Sequence, residues 1–456
     1  MKGPNRPNLL LIMADQHRFD FLGASGAGFL RTPNLDRLAE RGVRFTRCCT
    51  NAPVCVPARI GLATGLQPSR LGSLDNSSYL PAGARTYYQR LRDAGYRVGC
   101  AGKLDLAKPE SYVGRRGDRP CVYAWGFTHP VEIEGKMIAG TQPTPRGPYG
   151  FHLAEKGLYE RFHADYSERR RRGWRIGASH DSVLGAEDFA DSYVGRRAAE
   201  WIEAVSDESP WHLFVSFVGP HDPFDPPTEY AERYRRAAMP APIADATEGK
   251  PRWVAGRREP ATPEQVAETR RQYCAAIELI DAEIGRLLAA LERRGMAGDT
   301  VVMYCSDHGE MLGDHGLYHK SCAYEPALRV PLLATGPGIA AGLVSDALVE
   351  LADLNPTVCE LAGLPPQENI DARSFGAVLR GEGDTHRGDA VSALRGFRCV
   401  RTAGWKYIEN CNDIPELYDL AADPAELRNR ASDDPERCRQ MQGLLESRFM
   451  EGQWRR

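Results

Sequence analysis

The stretch with the most chemistry in it is Asn51-Ala52-Pro53-Val54-Cys55-Val56-Pro57-Ala58-Arg59, followed by Ile60-Gly61-Leu62-Ala63-Thr64-Gly65. Pro57 suits a first helical turn and Gly65 a stop, so the spacing predicts a loop that enters a short helix with Cys55 at its N-terminus. Unpaired amides and the helix dipole favour anions there, and Arg59, four residues on, shares a helix face with Cys55. A sulfur or oxygen nucleophile beside a fixed cation is chemistry for processing an anion. The bland alternative is a small thiol buried in the core.

Four apolar runs elsewhere end in groups able to hold a metal or an anion: Asp15 with Gln16, Lys103 with Asp105, His221 with Asp222, and Asp307 with His308. In open α/β sheets, ligands collect outside the carboxyl ends of the strands. A single strand-end Asp is often a helix cap and a lone His is usually packed, but recurrence at successive strand ends argues against coincidence. Asp15, Gln16, Asp307 and His308 offer mainly oxygen with one imidazole, a set suited to Ca²⁺, Mg²⁺ or Mn²⁺ more than to a closed zinc site. Arg59, Lys103, Lys320 and His221 are cations or donors suited to clamping a tetrahedral oxyanion, and a divalent cation would add Lewis-acid polarisation. The expected reaction is transfer or hydrolysis at sulfur or phosphorus. A thiolate phosphatase loop needs Arg six residues after its Cys, and position 61 is Gly. A zinc site from Cys48, Cys49 and Cys55 lacks paired spacing and a fourth ligand.

The elements that must position these groups are legible as alternating patterns. Residues 8–14, 43–49, 96–100, 211–217, 300–305 and 330–335 read as buried strands, and 32–42, 86–94 and 187–205 as helices. Thr262-Pro263-Glu264-Gln265 is a capping box, from which Val266, Tyr273, Ile277, Ile280, Ile284 and Leu287 continue a long amphipathic helix as far as Gly295. Such alternation predicts an α/β fold with a large, mostly parallel sheet sandwiched by helices. After about residue 381 come short strand-like pieces at 397–401, 406–409 and 416–420, which predict a smaller C-terminal α+β subdomain with an antiparallel sheet and a terminal helix. The expected division is 1–381 and 382–456. Residues 110–185, rich in Pro, Gly and Arg, read as a long loop insertion that selects the substrate, with 231–259 as a second selecting loop. The Arg169–Arg172 run within the first reads as a solvated face.

Composition narrows the partners. With 456 residues, 42% hydrophobic, 26% charged and a net charge of -3, the chain has the make-up of a soluble globular protein with no general affinity for nucleic acid or an anionic membrane. The Leu9-Leu10-Leu11-Ile12-Met13 run is too short to span a membrane and ends directly in Asp15-Gln16-His17, so it reads as a strand rather than a secretory segment. The twelve cysteines are scattered, without disulfide-scaffold spacing, so the chain reads as cytoplasmic with reduced thiols. Oligomeric state is not encoded in any readable pattern.

Cys55-Val56-Pro57-Ala58-Arg59, continued by Gly61, Thr64 and Gly65, resembles the C-x-P-x-R pattern of the type I sulfatases of the alkaline phosphatase superfamily. Leu11-Ile12-Met13-Ala14-Asp15, Pro220-His221-Asp222-Pro223-Phe224 and the stretch from Ser306 to Gly316 resemble that family in order and spacing, and residues 407–428 resemble its C-terminal subdomain. The resemblance implies an alkaline phosphatase-like fold and hydrolysis of sulfate monoesters (sugar, aryl or small alkyl). Cys55 would be oxidised by a separate formylglycine-generating enzyme, and the hydrated formylglycine would be the nucleophile. Asp15, Gln16, Asp307 and His308, with the modified Cys55, would face a divalent metal, calcium in most of the family, and Asp307 would take the proton of the attacking hydroxyl. Arg59 would orient the diol, Lys103 and Lys320 would bind sulfate oxygens, and His221 would protonate the leaving alcohol.

Two departures stand out. Gln16 occupies the place of the family's usual second Asp, which resembles the choline-sulfatase and phosphonate-monoesterase branch. Gly102-Lys103-Leu104-Asp105 stands where Gly-Lys-x-His is usual. Asp105, or His315 or His319 from another loop, then takes the place of the histidine that assists breakdown of the sulfated intermediate, or Asp105 is structural. The competing functions are a phosphonate monoester or phosphodiester hydrolase using the same machinery, and a non-catalytic anion-binding protein in which Cys55 stays a thiol.

Overall fold

A computed structural model describes residues 6–173 and 178–449. Eight strands form one sheet: β1 (Asn8–Asp15), β2 (Val43–Cys49), β3 (Arg97–Gly102), β4 (His129–Glu132), β5 (Trp211–Pro220), β6 (Thr300–Ser306), β7 (Arg329–Thr335) and β8 (Leu343–Glu350). Their order is β4-β3-β5-β1-β6-β7-β2-β8. The run from β4 to β6 is parallel throughout, with Leu10 of β1 opposite Leu213 of β5 and Val302 of β6. β7 runs against both β6 and β2, while β8 is parallel to β2, so the sheet is mixed on one side.

Strand periodicity sorts β1 onto the two faces. Leu9, Leu11 and Met13 enter the core beneath the helices Cys55–Thr64 and Tyr87–Asp93, whereas Leu10, Ile12 and Ala14 pack with the helices Ala190–Ala204 and Pro263–Arg293. All eight residues of β1 are buried, as a strand covered on both faces requires. The Thr262/Gln265 capping box forms with both reciprocal hydrogen bonds and opens a helix of 31 residues.

The smaller sheet is antiparallel, in the order β12-β11-β10-β9, from β9 (Asp389–Leu394), β10 (Phe397–Thr402), β11 (Trp405–Asn410) and β12 (Glu416–Asp419). Val400, Tyr407 and Leu417 face the terminal helix Pro435–Arg448 through Met441 and Leu445. The alternate residues Cys399, Ile408 and Tyr418 pack with Ala52, Val54 and Tyr324, so this sheet forms a floor under the loop leading to Cys55.

The expectation of a loop over 110–185 is corrected. Residues 174–177 lie outside the described residues, but the rest holds β4 and the helices Pro120–Ala124, Lys136–Thr141, Pro148–Glu155 and Tyr159–Arg172. Tyr159, Phe162, Tyr166 and Arg169 are the buried face of the last helix, at spacings of three and four that the surrounding Arg and Glu obscure. Of the arginine run, Arg170 to Arg172 are exposed as expected, while Arg169 is buried, donating to Asp165 at 2.7 Å and to the Asp181 carbonyl. The 231–259 stretch likewise contains the helix Arg252–Arg257.

Candidate active site

Neighbours in the sheet, β3, β5, β1 and β6 are parallel, so their carboxyl ends deliver Lys103, His221, Asp15 and Asp307 to one rim. Across that rim stands the N-terminus of the Cys55–Thr64 helix, closed at Gly65 in a left-handed turn (φ 71°). Val56 N–H donates to Asn76 Oδ1 at 3.0 Å, which satisfies one of the orphan amides that sequence leaves open.

Cys55 Sγ lies 3.3 Å from His308 Nε2 and 3.8 Å from Asp15 Oδ1, fully buried. One donor atom from each of Asp15, Cys55, Asp307 and His308 lies within 4.8 Å of the others, and all four residues are buried. The Arg59 guanidinium stitches this group together: Nε donates to Asp307 Oδ2 at 2.8 Å, Nη2 to Asp15 Oδ2 at 3.3 Å, and Nη1 to the Lys103 carbonyl and Ser216 Oγ, both at 2.7 Å. Lys103 Nζ donates to Asp15 Oδ2 and lies 3.0 Å from Asp105 Oδ2. On the opposite side, Lys320 Nζ sits 2.6 Å from His221 Nε2 and also donates to Gln16 Oε1. His221 Nδ1 turns to Asp222, 2.7 Å from its carbonyl.

Burial alone would push the Cys55 thiol up, but Lys103, Lys108, Lys320 and His308 outweigh it and hold the group well below the ordinary thiol value. Burial opposes ionisation of Asp15 as well, and Lys103, His221 and Arg59 pull its carboxyl below the usual range. His308 is raised: burial would lower it, and the charges of Asp307 and Cys55 prevail. The rim therefore balances buried carboxylates against a surplus of cations aimed at the sulfur, an arrangement suited to an anion.

Of the residues singled out from sequence for the site, all but His315 come to this rim, in different degrees. The Gln16 side chain is turned to Lys320, Glu310 (2.5 Å) and Asp222 (3.3 Å), while its backbone N–H donates to Asp307 Oδ1 at 3.0 Å. Asp105 is buried between Lys103 and Lys108. His319 meets Asp222 at 3.3 Å, whereas His315 pairs with Asp245 at 2.7 Å and stacks on Tyr324, with no contact to the Cys55 group among the described residues. Four partners were missed: Ser216, Glu310, Asn76 and Lys108. Glu310 and Lys108 sit close in sequence to Asp307 and Asp105, which is a usable signal; Ser216 and Asn76 meet the site through contacts that leave no pattern in the chain.

A large, mostly parallel sheet carries a buried carboxylate–imidazole cluster at its carboxyl ends, beside a cysteine at a helix N-terminus, as expected of the alkaline phosphatase-like ester hydrolases that the chain resembles. The donor set fits a divalent cation, since the four donor atoms are buried together and two of them come from carboxylates. The profile described as Sulfatase matches residues 7–364, and that described as N-sulphoglucosamine sulphohydrolase, C-terminal, matches residues 313–453. The chain belongs to the sulfatase family and is a sulfuric ester hydrolase. It is 30% identical to a choline-sulfatase of Rhizobium meliloti over 93% of this chain and 82% of that one, and 28% identical to an arylsulfatase of Clostridium perfringens over 93% and 90%. Among solved structures it resembles the phosphonate monoester hydrolase of Agrobacterium radiobacter, with a TM-score of 0.82, 26% identity, and coverage of 97% of this chain and 95% of that one. The family generally uses a metal and a formylglycine. No helix among the described residues is long and apolar enough to cross a membrane.

Proposed function

We propose that this protein hydrolyses small sulfate monoesters, with Cys55 converted to formylglycine by a formylglycine-generating enzyme and a divalent cation held by Asp15, Gln16, Asp307 and His308. Calcium suits the oxygen-rich donor set best, and Mg²⁺ or Mn²⁺ is the alternative. In the net reaction the bond between sulfur and the ester oxygen breaks, an oxygen from water ends on sulfur, and the alcohol leaves with a proton. When present, the modified side chain supplies the attacking oxygen and the metal polarises it and the sulfate.

The protein's own groups do the rest. Arg59 fixes the two carboxylates that flank the nucleophile and presents positive charge to it. Lys103 and Lys320 bind sulfate oxygens as charge builds in the transition state. His221, held through Nδ1 by Asp222 and next to Lys320, delivers the proton to the leaving alcohol. Asp105 fixes Lys103 at 3.0 Å.

The observation that carries this reading is the meeting of the Cys55 helix N-terminus with four adjacent parallel strand ends. Incubating formylglycine-containing, metal-loaded protein with aryl and sugar sulfates should release sulfate. Turnover confined to phosphonate monoesters or phosphodiesters would replace it with the second reading, which Gln16 and Asp105 favour because both depart from the commoner sulfatase pattern. All twelve cysteines are unpaired, which supports a reducing compartment, and we infer the cytoplasm. We also treat 1–381 as the catalytic unit and 382–456 as its supporting subdomain.

A further inference from the structure

The position where the commoner pattern has histidine carries Asp105, and its surroundings contain a second cation. Asp105 sits in the left-handed backbone region (φ 53°), and one of its oxygens, Oδ2, meets Lys103 Nζ at 3.0 Å and Lys108 Nζ at 3.2 Å. The two lysines differ in what remains to them. Lys103 is buried and also donates to Asp15, inside the metal-type cluster. Lys108 has a single carboxylate partner among the described residues, and its side chain is 27% exposed. It lines a cleft of about 60 Å³ together with Lys103, His221 and Asp222, to which Met137, Ile138 and Val218 contribute apolar surface beside Glu134 and Lys136. That apolar surface suits the carbon skeleton of an alcohol, next to the Lys108 ammonium. An ammonium carries three donors, and the Asp105 contact occupies one of them.

We propose that Lys108 is a further catalytic residue, which donates a hydrogen bond to the ester oxygen of the substrate as the bond to sulfur breaks, with Asp105 as the residue that positions it. The contribution of Lys108 grows with the negative charge that accumulates on the leaving oxygen, so it is largest for poor leaving groups and smallest for activated ones. Asp105 keeps the ammonium at the cleft rather than in solvent. The proposal rests on the sulfate ester reading for the identity of the substrate but not for the role of the residue.

The test compares kcat/KM for phenyl sulfate and 4-nitrophenyl sulfate in wild type, K108M and K108R, all with formylglycine confirmed by mass spectrometry. K108M should lose about 100-fold on phenyl sulfate and less than tenfold on 4-nitrophenyl sulfate, while K108R recovers most of the loss. D105N should show the same unequal pattern more weakly, because it loosens Lys108 without removing it. Equal losses on both esters, or no loss on either, would overturn the proposal and leave Lys108 a structural ion pair. Thermal unfolding of each variant guards against a folding defect, and K108Q, which keeps a donor, serves should K108M unfold. If wild type hydrolyses no sulfate ester, the proposed function fails by itself, and the same comparison on phenyl and 4-nitrophenyl esters of a phosphonate then tests Lys108.

Discussion

The described residues bury charge in several places, and the sheet rim and the seam under the small sheet make the sharpest contrast among them. At the sheet rim, Asp15, Arg59, Lys103 and Asp307 surround Cys55, and Lys103 also lines a cleft. Where the small sheet docks, Glu325 accepts from Arg401 Nε at 3.0 Å and Lys406 Nζ at 3.1 Å, and Lys406 also pairs with Glu426. The second cluster is as deeply buried and as strongly perturbed: burial would raise the Glu325 carboxyl, but Arg401, Lys406 and Arg329 hold it below the usual range. The thiols beside it, Cys49 and Cys399, are pushed up by burial, Cys49 to about 11, whereas Cys55 at the rim is held down. Perturbed ionisation alone therefore does not mark an active site; what distinguishes the rim is charge imbalance aimed at one reactive atom. The docking cluster has another task, since the sheet it anchors supplies Cys399, Ile408 and Tyr418 beneath Ala52 and Val54.

The contrast can be broken most forcefully at Arg59. R59A should lower kcat/KM by about 1,000-fold or more, the scale of a lost electrostatic group in a closed site. Retention of more than a tenth of wild-type kcat/KM would remove the rim's claim to be special. E325A should do the reverse, costing about 3 kcal/mol of stability by chemical denaturation, because it strands the buried Arg401 and leaves Lys406 only Glu426, while kcat/KM of the folded protein stays within tenfold. An activity loss without a stability loss would dissolve the distinction between the clusters. Adding Ca²⁺ to chelated protein at about 100 times its Kd should raise stability by about 2.7 kcal/mol in wild type and by much less in D307N. Equal shifts in both proteins would locate the ion elsewhere.

The smallest expected effect sharpens the comparison by pH. His319 at the rim is raised from 6.5 to about 9, because burial, which lowers it, is outweighed by Asp222 and Glu310. Its contribution to stability is present in full below pH 6.5 and is lost as pH rises through about 9. With about a third of the ring facing solvent, the loss is about 1 kcal/mol, and H319N should flatten that limb of the stability profile. A limb unchanged in H319N would assign the titration to another group.

How much of this was legible depended on burial. β1, β5 and β6 are covered on both faces, so they stand out as unbroken apolar runs, and the polar residues ending them mark the site directly. β8 alternates exposed and buried residues over Leu343–Ala347, and β4 is a four-residue edge strand containing Pro130, so neither announces itself. The helices Pro120–Ala124 and Pro148–Glu155 were hidden because such short, Pro-opened segments have little periodicity to read, and the buried face of Tyr159–Arg172 was masked by the surrounding Arg and Glu. Gln16 shows the remaining limit. Its place after Asp15 was readable, but its side-chain partners Asp222, Glu310 and Lys320 lie more than 200 residues away in sequence, and only folding brings them together.

The central claim concerns Cys55, and one measurement addresses it most directly: sulfate release from an aryl sulfate by wild type and by C55A, both produced with the formylglycine-generating enzyme and loaded with Ca²⁺, with the wild-type peptide spanning Cys55 weighed by mass spectrometry. The account predicts a mass change from thiol to aldehyde or its hydrate, steady sulfate release by wild type, and none above background by C55A, which folds normally. Full activity in C55A would contradict it.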